Sequence, residues 1–469
     1  MRHLLHPNAA LLILGHFVFV LACLLIYAIS THVGGQRRHP SAAIAWVLLI
    51  ALLPYIGLPF YLFFGSRKFV RPQRHGSALT GTPADTPRAR AIATLEGMGM
   101  AAPEAQKTVR FHADGAAAWD ALVAVIDSAQ SQLDICTYVL ANDEVGHRVV
   151  HQLRQRASAG VRVRLLLDAI GSVRTSRRQI ELLRTSGVQV RWFMPLWHNP
   201  MRGRVNLRNH RKLAVADGRR LWSGGRNLAA EYFTGDGRTP AWIDLSFTLH
   251  GTLAEQALRL FQSHWRHTNG PQENSAQAPA PEPAEPVPGV DQHVAQLVPS
   301  GPDQAEDTVH ALLLTTIYRA TRRFVAVTPY FVPDDSLLTA LRLAALRGVR
   351  VELIVPARSN HRLADIARQR ALRDLAAAGA QIRLTAGMTH AKAIMVDDTL
   401  ALCGSLNLDA RSLFLNFELM VAFYASEDIA AIDHWIGANF HAARHYVPRR
   451  ASLGRDILEG LVRWLGFQI

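Results

Sequence analysis

The sequence NHRKLAVADGRRLWSGGRN occupies residues 209–227, and THAKAIMVDDTLALCGSLN occupies residues 389–407. Histidine, lysine, aspartate and asparagine recur at the same positions in both stretches, and His210 and His390, like the other pairs, are 180 residues apart. A single histidine or lysine would indicate no chemistry, because such a residue usually lies at the surface or in the core with its hydrogen bonds satisfied. Four matched positions at one offset indicate that a unit with a chemical role has been duplicated.

Each motif follows a region in which helix and strand patterns alternate. In residues 145–157 apolar side chains recur at helical spacing, Gly160 ends the pattern, and residues 161–167 then read as a buried strand. The same order returns in residues 337–355, and the tetrapeptide Gly-Val-Arg-Val occurs in both places. The sequence therefore predicts an α/β fold of two duplicated sandwich halves, each with a mixed or mainly parallel sheet.

Changes in composition divide the chain into six segments. The first is strongly apolar, and a stretch rich in proline, alanine and glutamate separates the two halves. The predicted segments are a membrane hairpin (1–66), a connector (67–107), the first half (108–268, motif 204–231), a flexible linker (269–291), the second half (292–450, motif 384–411) and an amphipathic C-terminal segment (451–469).

The N-terminal segment contains two uncharged apolar stretches. Residues 9–29 are long enough to cross about 30 Å of hydrocarbon as a helix, and residues 42–64 form the centre of the second stretch. A cleaved signal peptide does not fit, because the first apolar region is too long and a second follows at once. Two spans are predicted, although three residues could bend the second into a re-entrant shape: Pro54, Gly57 and Pro59.

Positive charges flank these stretches and predict their orientation. The heaviest cluster of lysine and arginine marks the cytoplasmic side of a membrane protein. Two spans would then place both termini and the large C-terminal part in the cytoplasm. The flanking cations are Arg2 before the first stretch, Arg37 and Arg38 between the two, and Arg67, Lys68, Arg71 and Arg74 after the second.

The net charge of +14 predicts a polyanionic partner, and nucleic acid and an anionic membrane surface fit this charge equally well. The three cysteines, Cys23, Cys136 and Cys403, show no paired or metal-ligand spacing, so a reduced catalytic part is expected. The sequence contains no Walker-type loop, zinc-ligand spacing or carboxylate cluster. Neither a metal nor a cofactor is predicted.

Histidine and lysine are two residues apart in each motif, so on an extended strand both side chains point to one face. His210 and Lys212 can therefore face one phosphate, and the second copy repeats the arrangement. The apolar residues after each lysine predict a strand buried in the sheet. The predicted catalytic residues are His210, Lys212, Asp217, His390, Lys392 and Asp397.

Glycine or serine, and then asparagine, follow each motif. A glycine permits a tight turn where backbone approaches a ligand, and an asparagine amide can donate to a phosphoryl oxygen. The predicted phosphate-binding residues are Gly225, Asn227, Ser405 and Asn407.

Two such copies around one phosphodiester are sufficient for a two-step displacement. One neutral imidazole attacks phosphorus, the other donates a proton to the leaving alcohol, and lysine and asparagine stabilise the charge on the non-bridging oxygens. Each imidazole also needs a partner on its second nitrogen. Glu418 follows the second motif and Asp244 holds a similar place after the first, so both are predicted to orient a histidine.

These motifs resemble the signature of the phospholipase D superfamily, His-x-Lys-x4-Asp followed by Gly-Ser/Gly-x-Asn. More narrowly, the chain resembles bacterial cardiolipin synthases with two N-terminal membrane spans. The resemblance covers nearly the whole chain apart from the linker. It is carried by Ala45-Trp46, Pro54-Tyr55-Ile56-Gly57, Asn209-His210-Arg211-Lys212, Pro329-Tyr330-Phe331-Val332-Pro333, Gly404-Ser405-Leu406-Asn407-Leu408-Asp409-Ala410-Arg411-Ser412 and Asn416-Phe417-Glu418.

The resemblance implies a phosphatidyltransferase that joins two phosphatidylglycerol molecules into cardiolipin and releases glycerol. It implies one site shared between the halves, with His210 as the nucleophile and His390 as the general acid. The implied partners are anionic phospholipids (phosphatidylglycerol and cardiolipin) and the bilayer of the bacterial inner membrane, with the catalytic part facing the cytoplasm. Nucleic acid is not expected as a partner, and the oligomeric state is left open.

The chain departs from the family pattern after the first motif. The family usually has Trp-Arg-Asp-x-His, whereas this chain has Trp242-Ile243-Asp244-Leu245-Ser246. The aspartate is retained, but a positive charge and an imidazole are missing. The head-group preference therefore stays open.

Three other functions compete with lipid transfer. A phospholipase D would use water in the second step, a difference that depends on the architecture of the site. A nuclease would fit the charge, but no basic platform with interleaved aromatic residues is present and a membrane tether has no evident purpose there. A non-catalytic scaffold would not need histidine, lysine and asparagine intact in both motifs.

Two further features each allow two interpretations. A group of arginines near the first motif either gathers anionic lipid head groups or forms a solvated basic face. The apolar residues of the C-terminal segment either lie in the membrane interface or pack against the catalytic core. The arginines are Arg191, Arg202, Arg204, Arg208 and Arg211.

Overall fold

The computed structural model describes residues 7–33, 40–65, 68, 86–195, 206–235, 237, 239–268 and 293–468. The predicted linker, residues 69–85 of the predicted connector, Arg202 and Arg204 lie outside these residues.

Three apolar helices form the N-terminal part: α1 (Pro7–Val33), α2 (Pro40–Leu52) and α3 (Pro54–Phe64). Within α1, the 22 residues Leu11–His32 have a mean hydropathy of 2.6 and are long enough to cross a membrane. The second apolar stretch divides at Leu53, because Pro54 has no N–H to continue α2 and instead begins α3. The N-terminal part therefore consists of one long apolar helix followed by two short ones, and the second stretch is interrupted at Pro54, one of the three residues expected to bend it.

The catalytic part begins earlier than residue 108, inside the predicted connector. Helix α4 (Pro87–Gly97) starts after Thr86, whose side chain accepts a hydrogen bond from an amide of the first turn. Ala91 and Leu95 lie four residues apart on one face of this helix, and both are buried in the core of the second half. Apolar spacing at one helical turn is the signal that identifies this segment as ordered.

The first half follows the predicted alternation of helices and strands. Its helices, which include one short 3-10 helix (Ala230–Tyr232), cover both faces of the sheet. The elements are β1 (Glu104–His112), α5 (Gly115–Ser128), β2 (Gln132–Thr137), α6 (Glu144–Ser158), β3 (Arg162–Asp168), α7 (Arg177–Thr185), β4 (Gln189–Phe193), β5 (Leu213–Ala216), β6 (Arg220–Gly224), β7 (Ser246–Gly251) and α8 (Thr252–Arg266).

The second half repeats this order and adds short elements. The elements are β8 (His293–Ser300), α9 (Thr308–Arg319), β9 (Arg323–Val327), β10 (Phe331–Val332), α10 (Asp335–Leu346), β11 (Arg350–Pro356), α11 (Arg362–Ala377), β12 (Gln381–Thr385), β13 (Ala393–Val396), β14 (Leu400–Gly404), β15 (Leu408–Asp409), α12 (Ala410–Phe414), β16 (Glu418–Phe423), α13 (Ser426–Phe440), β17 (Arg444–His445) and α14 (Leu453–Gln468).

The two halves share one sheet of 15 strands in the order β17-β12-β11-β9-β13-β14-β16-β8-β1-β7-β6-β5-β2-β3-β4. The halves meet where β1 and β8 pair antiparallel. Outward from this junction, equivalent strands of the two halves follow in the same order, and the edge strand β17 is the one addition. The three strands β2, β3 and β4 are parallel, whereas the strands between them and the junction pair antiparallel. The predicted α/β duplication with a mixed sheet is confirmed.

The sheet is buried on both faces. Helices α5, α6 and α7 cover one face of the first half, and α9, α10 and α11 cover the equivalent face of the second. On the opposite face, α8 and α13 contribute to one core that draws residues from both halves. All four residues of β5 and of β13 are buried, as the apolar residues after each motif lysine predict. The two motifs therefore lead into central strands of one rigid sheet.

The C-terminal helix α14 packs against α11 mainly through charged groups. The Arg373 guanidinium lies 2.7 Å from the carboxylate of Glu459 and 3.2 Å from that of Asp456. Four large apolar side chains in the part of this helix up to residue 462 remain exposed, so packing against the core does not account for them. The exposed residues are Leu453, Ile457, Leu458 and Leu461.

Candidate active site

The backbone before each motif strand is paired with the other half of the chain. The amide of His210 donates to the Phe417 carbonyl over 2.9 Å, and the amide of Phe417 donates to the Arg208 carbonyl over 2.9 Å. At the second motif, the His390 amide donates to the Ile243 carbonyl over 2.7 Å. Both histidines are therefore fixed at the interface of the halves, beside the segments that carry Asp244 and Glu418.

The predicted orienting carboxylates act across this interface. Oδ2 of Asp244, from the first half, lies 2.7 Å from Nδ1 of His390 in the second. Oε1 of Glu418, from the second half, lies 3.4 Å from Nδ1 of His210 in the first, which is an ion-pair distance rather than a hydrogen bond. Each half thus supplies the carboxylate that faces Nδ1 of the histidine of the other half.

The motif lysines are buried beside their histidines. The Nζ of Lys212 donates to the His210 carbonyl over 2.6 Å. The Nζ of Lys392 lies 2.8 Å from Nδ1 and 3.0 Å from Nε2 of His390, and it also donates to the carbonyl of that residue. Two lysine amino groups and two imidazoles therefore lie within one buried site, as the spacing of the motifs predicts.

Burial shifts the protonation of these groups strongly. It lowers the pKa of His210 to about 4 and that of His390 to about 3, with a further lowering from the adjacent lysines that the carboxylates only partly offset. Burial likewise lowers the pKa of Lys212, and it lowers that of Lys392 to about 7. In the empty site both imidazoles are therefore neutral near pH 7, the form that a nucleophile requires.

The two carboxylates stay ionised in the same environment. Burial alone would raise the pKa of Asp244, but the hydrogen bond with His390 and the positive charges of Lys392 and Arg226 outweigh it and hold that pKa below its usual range. Burial also opposes ionisation of Glu418, but the nearby His210, the charge of Lys212 and the hydrogen bond from Ser405 lower its pKa below the usual range. Both carboxylates can therefore stabilise an imidazolium when one forms.

The residues after each motif make different contacts in the two halves. At Gly225 an added Cβ would lie 2.2 Å from Oδ1 of Asp244, so only glycine fits beside that carboxylate. The equivalent Ser405 instead donates its hydroxyl to Glu418. Both asparagines are buried: Nδ2 of Asn227 donates to the Tyr232 hydroxyl over 2.8 Å, and Nδ2 of Asn407 donates to the Ser412 hydroxyl over 3.2 Å. The structure thus brings all four predicted phosphate-binding residues to the motif histidines' end of the sheet.

The motif aspartates Asp217 and Asp397 lie away from this site. Asp217 follows β5, and five residues of extended chain after Lys212 correspond to about 16 Å. Its carboxylate accepts hydrogen bonds from the backbone amides of Gln130, Ser131 and Gln132 over 2.7 to 2.9 Å.

Asp397 repeats this arrangement after β13, where its carboxylate accepts from the amides of Thr321, Arg322 and Arg323. Each aspartate therefore ties the turn after a motif strand to the start of the neighbouring strand. The two aspartates were predicted to be catalytic, but these contacts lie away from the histidines, and we expect both residues to position strands instead.

Aromatic rings surround the histidines, and the two sequence motifs do not predict them. The Tyr138 ring centroid lies 4.2 Å from that of His210. The rings of Tyr232 and Trp242 lie 4.9 and 5.6 Å from that of His390. Both imidazoles therefore lie against aromatic rings. Tyr138 directly follows β2, a position that the strand pattern alone does not mark as functional.

Two buried arginines hold the backbone beside the orienting carboxylates. Nε of Arg211 donates to the Glu418 carbonyl over 2.8 Å, and its guanidinium pairs with Asp303 over 2.8 Å. Arg226 donates to the Asp244 carbonyl and, over 3.1 Å, to the Ser246 hydroxyl. Ser246 stands where the family pattern usually has histidine. Its short side chain contacts the guanidinium of Arg226, which belongs to the Gly-Gly-Arg-Asn segment after the first motif.

Three of the five arginines near the first motif lie in the described part of the chain, and they make contacts within the protein. Arg208 and Arg211 are buried, and Nη1 of Arg191 donates to the Trp265 carbonyl over 3.0 Å. Neither interpretation offered by the sequence therefore describes these three residues: Arg208 and Arg211 brace the interior of the site, and Arg191 stacks on the Trp265 ring.

Comparison with known proteins agrees with this geometry. The family described as "Cardiolipin synthase, PLD-like domain" matches residues 122–265 and 313–439, and the family described as "Phospholipase D-nuclease N-terminal" matches residues 20–66. The first pair of ranges contains both histidines and both orienting carboxylates.

Individual relatives match over most of their length. Cardiolipin synthase A of Pseudomonas putida (strain W619) is 30% identical, with 93% of this chain and 94% of the relative covered. Cardiolipin synthase 1 of Bacillus cereus is 28% identical, with 97% and 94% covered. A crystal structure of phosphatidylserine synthase from Haemophilus influenzae Rd KW20 shares the fold, with a TM-score of 0.60 at 15% identity, covering 81% of this chain and 97% of that one. The chain therefore belongs to the cardiolipin synthase family of phospholipase D-like proteins.

Proposed function

We propose that this chain is a cardiolipin synthase, which transfers a phosphatidyl group from one phosphatidylglycerol to a hydroxyl of another and releases glycerol. The observation that carries the proposal is the reciprocal pairing of His390 with Asp244 and of His210 with Glu418 in one buried site. This pairing supplies one nucleophile and one acid–base group for the same phosphorus atom.

In the first step, Nε2 of His210 attacks phosphorus, and the bond between phosphorus and the glycerol oxygen breaks. His390, in its protonated form, donates its proton to that oxygen, and glycerol leaves as a neutral alcohol. The exposed fraction of the His210 side chain is 19%, against 7% for His390, which favours His210 as the group that reaches phosphorus. Glu418 stabilises the positive charge that His210 gains.

Substrate binding supplies the protonation state that the empty site lacks. A phosphodiester anion beside Lys212 and Lys392 offsets their charge, and this raises the pKa of both lysines and of His390. Asp244, which faces Nδ1, further favours the imidazolium. The acid form of His390 is therefore expected only in the complex with substrate.

In the second step, neutral His390 accepts the proton of a hydroxyl on a second phosphatidylglycerol. The resulting oxygen attacks phosphorus, the N–P bond breaks, and His210 returns to its neutral form. Lysine and asparagine side chains stabilise the non-bridging oxygens in both steps. Aromatic rings around the histidines restrict water, which favours transfer over hydrolysis.

A membrane location fits this substrate. The apolar helix α1 would hold the site at the surface of the bacterial inner membrane, where phosphatidylglycerol and cardiolipin are concentrated. The positive charge of the chain favours anionic phospholipids as partners. In this proposal the catalytic part faces the cytoplasm. Nucleic acid is not part of this proposal, and no metal or cofactor is required by it.

Lipid analysis tests the proposed reaction. The chain is expressed in a bacterial host that lacks cardiolipin, and its lipids are analysed by mass spectrometry beside a His390→Ala control. Cardiolipin is expected with the intact chain alone. Phosphatidic acid without cardiolipin would instead indicate hydrolysis, and no lipid change from well-expressed membrane protein would overturn both readings.

Trapping of the covalent intermediate tests the role of each histidine. Phosphatidylglycerol labelled in its phosphate is mixed with purified enzyme, which is then denatured rapidly. We expect label on the His390→Ala variant and none on His210→Ala. Label retained by the His210→Ala variant would reverse the assignment.

A further inference from the structure

The second apolar stretch of the N-terminal part is too short in each of its pieces to cross a bilayer. Helix α2 has 13 residues and α3 has 11, which correspond to about 20 Å and about 16 Å. A hydrocarbon core measures about 30 Å. The path of the chain therefore depends on whether α3 continues the direction of α2 or reverses it.

Ring contacts place the start of α3 beside the middle of α1. The Tyr55 ring, in the first turn of α3, stacks on the Phe19 ring with centroids 4.8 Å apart. The other end of α3 lies beside the end of α1, because the Tyr61 hydroxyl is 2.6 Å from the Ser30 hydroxyl and 3.0 Å from that of Thr31. Helix α3 therefore runs in the same direction as α1.

Helix α2 runs the opposite way. Near its start, the Ala43 carbonyl lies 3.5 Å from the hydroxyl of Tyr27 in the last turns of α1, and the Trp46 ring lies 5.4 Å from the Tyr61 ring. At its far end it turns directly into α3. A Cβ at Gly57 would lie 2.7 Å from the Leu49 carbonyl oxygen, so the two helices pack closely just after the turn.

The turn between α2 and α3 is suited to hydrocarbon. The amide of Leu53 donates to the Leu49 carbonyl, and the amides of Ile56 and Gly57 donate to the Leu53 carbonyl, over 2.6 to 3.1 Å. Backbone groups satisfied within the turn carry no large penalty in lipid. The side chains around the turn are large, apolar or aromatic, and exposed: Leu52, Leu53, Tyr55 and Ile56. Such a surface requires an apolar surrounding.

We propose that α2 and α3 form a re-entrant hairpin that enters the bilayer from the catalytic side, turns inside it and returns to the same side. The chain then crosses the membrane once, through α1, and its N-terminus lies on the side opposite the catalytic part. From the level of Thr31 to that of Phe19 on α1, the hairpin penetrates about 18 Å, which is more than half of the hydrocarbon core but not all of it.

Charge supports this topology over two full crossings. A re-entrant hairpin places Arg37 and Arg38 on the same side as the cluster that begins at Arg67, with only Arg2 opposite. Two crossings would leave Arg37 and Arg38 outside. An excess of lysine and arginine marks the cytoplasmic side of a membrane protein. The hairpin gives a larger difference in positive charge between the two sides than two crossings do, and it places the N-terminus outside the cytoplasm.

The hairpin also determines where the catalytic part is attached. Lys68, just beyond α3, lies 2.9 Å from the Asp307 carboxylate and donates to the Gly301 carbonyl over 3.0 Å. Both partners belong to the second half of the catalytic part, on the segment before α9. The returning end of the hairpin is thus joined to the enzyme at the membrane surface.

Cysteine labelling tests the topology in cells that produce the full chain. Single variants Asn8→Cys, Gln36→Cys and Ser452→Cys are treated with a membrane-impermeant maleimide, before and after permeabilisation of the inner membrane. The unmodified chain serves as the blank, because Cys23, Cys136 and Cys403 are buried. Cardiolipin formation in each variant verifies that the protein is correctly inserted.

The hairpin predicts that Asn8→Cys reacts in intact cells, whereas Gln36→Cys and Ser452→Cys react only after permeabilisation. Two full crossings predict instead that Gln36→Cys alone reacts in intact cells, and that result would overturn the proposal. Reaction of both Gln36→Cys and Ser452→Cys in intact cells would overturn the proposed orientation.

Discussion

Asp244 illustrates how one residue links the two halves chemically. Its carboxylate is 2.7 Å from His390, its carbonyl is held by Arg226, and Gly225 leaves it the necessary space. None of these three neighbours would reveal its role alone. Because Asp244 contacts the imidazole of His390, we expect it to act as a positioning residue for that histidine.

Substitution of this carboxylate tests that role. We expect Asp244→Asn to lower kcat on phosphatidylglycerol vesicles by about 10²- to 10⁴-fold, because the amide no longer stabilises the imidazolium of His390. KM should change little. Gly225→Ala should cause a similar loss, since its Cβ displaces the carboxylate.

The double variant Asp244→Asn, Gly225→Ala provides the control. If glycine acts only through the carboxylate, the double variant loses no more activity than Asp244→Asn alone. Additive losses would show that Gly225 contributes independently, and a large rise in KM with kcat unchanged would contradict the positioning role.

Lys392 gives the site a dependence on pH. Burial lowers its pKa to about 7, so the empty site loses this positive charge above neutral pH. A bound phosphodiester raises the pKa again, because an opposite charge favours the ammonium form. We therefore expect kcat/KM to fall above about pH 7 while kcat holds to higher pH, since the first reports the free enzyme and the second the complex.

Initial rates over a range of phosphatidylglycerol concentrations, at about pH 5 to about pH 9, separate the two parameters. Circular dichroism at each pH verifies that the fold is unchanged. An alkaline fall at the same pH in both parameters would mean that substrate does not contact Lys392.

At the scale of elements, the last residue of each motif serves the sheet. Asp397 has a φ of 50° and accepts amides from the start of β9, so it closes a turn and aligns two strands. The catalytic role predicted for this aspartate does not fit its position, because the strand between it and Lys392 carries it to the opposite end of the sheet. A motif can therefore contain one residue for folding among others for catalysis.

The variant Asp397→Asn separates these roles. Asparagine tolerates a positive φ, but its amide cannot accept every hydrogen bond of the carboxylate. We expect the free energy of unfolding to fall by about 1 to 3 kcal/mol, with kcat per folded enzyme unchanged. Thermal unfolding in detergent, beside vesicle assays, measures both.

Asp398→Asn is the matched control, because that neighbour is exposed and forms ion pairs only at the surface. Its effect on stability should be below about 1 kcal/mol. Loss of kcat in Asp397→Asn without loss of stability would restore the catalytic assignment.

Elements were predictable where the signal is local. The strands after Lys212 and Lys392 and the mixed α/β halves follow from short apolar runs and repeated spacing. The path of the second apolar stretch stayed open between a full span and a re-entrant shape, because Pro54 indicates a break in the helix and does not determine the direction of the chain after it. The pairing of Asp244 with the histidine of the other half depends on how the halves meet. The role of Arg226 could not be predicted from the repeated positions, because the second motif has leucine at the equivalent position.

At the scale of the whole molecule, the two halves form one enzyme. They share a sheet through β1 and β8, one core beneath α8 and α13, and reciprocal backbone hydrogen bonds at both histidines. An apolar core common to both halves makes each half unstable alone, since separation would expose that surface to water. The covalent connection between the halves is therefore expected to matter little once the protein has folded.

Cleavage of this connection tests the unity of the molecule. A protease recognition site is placed within residues 275–285, and the folded enzyme in detergent is cut at that site. We expect the halves to co-elute from a sizing column and to keep most of their activity, because the contacts at β1, β8 and the histidines persist. The unmodified chain, treated with the same protease, controls for other cuts. Separation of the halves, or loss of activity from halves that stay together, would show that the linker itself maintains the shared site.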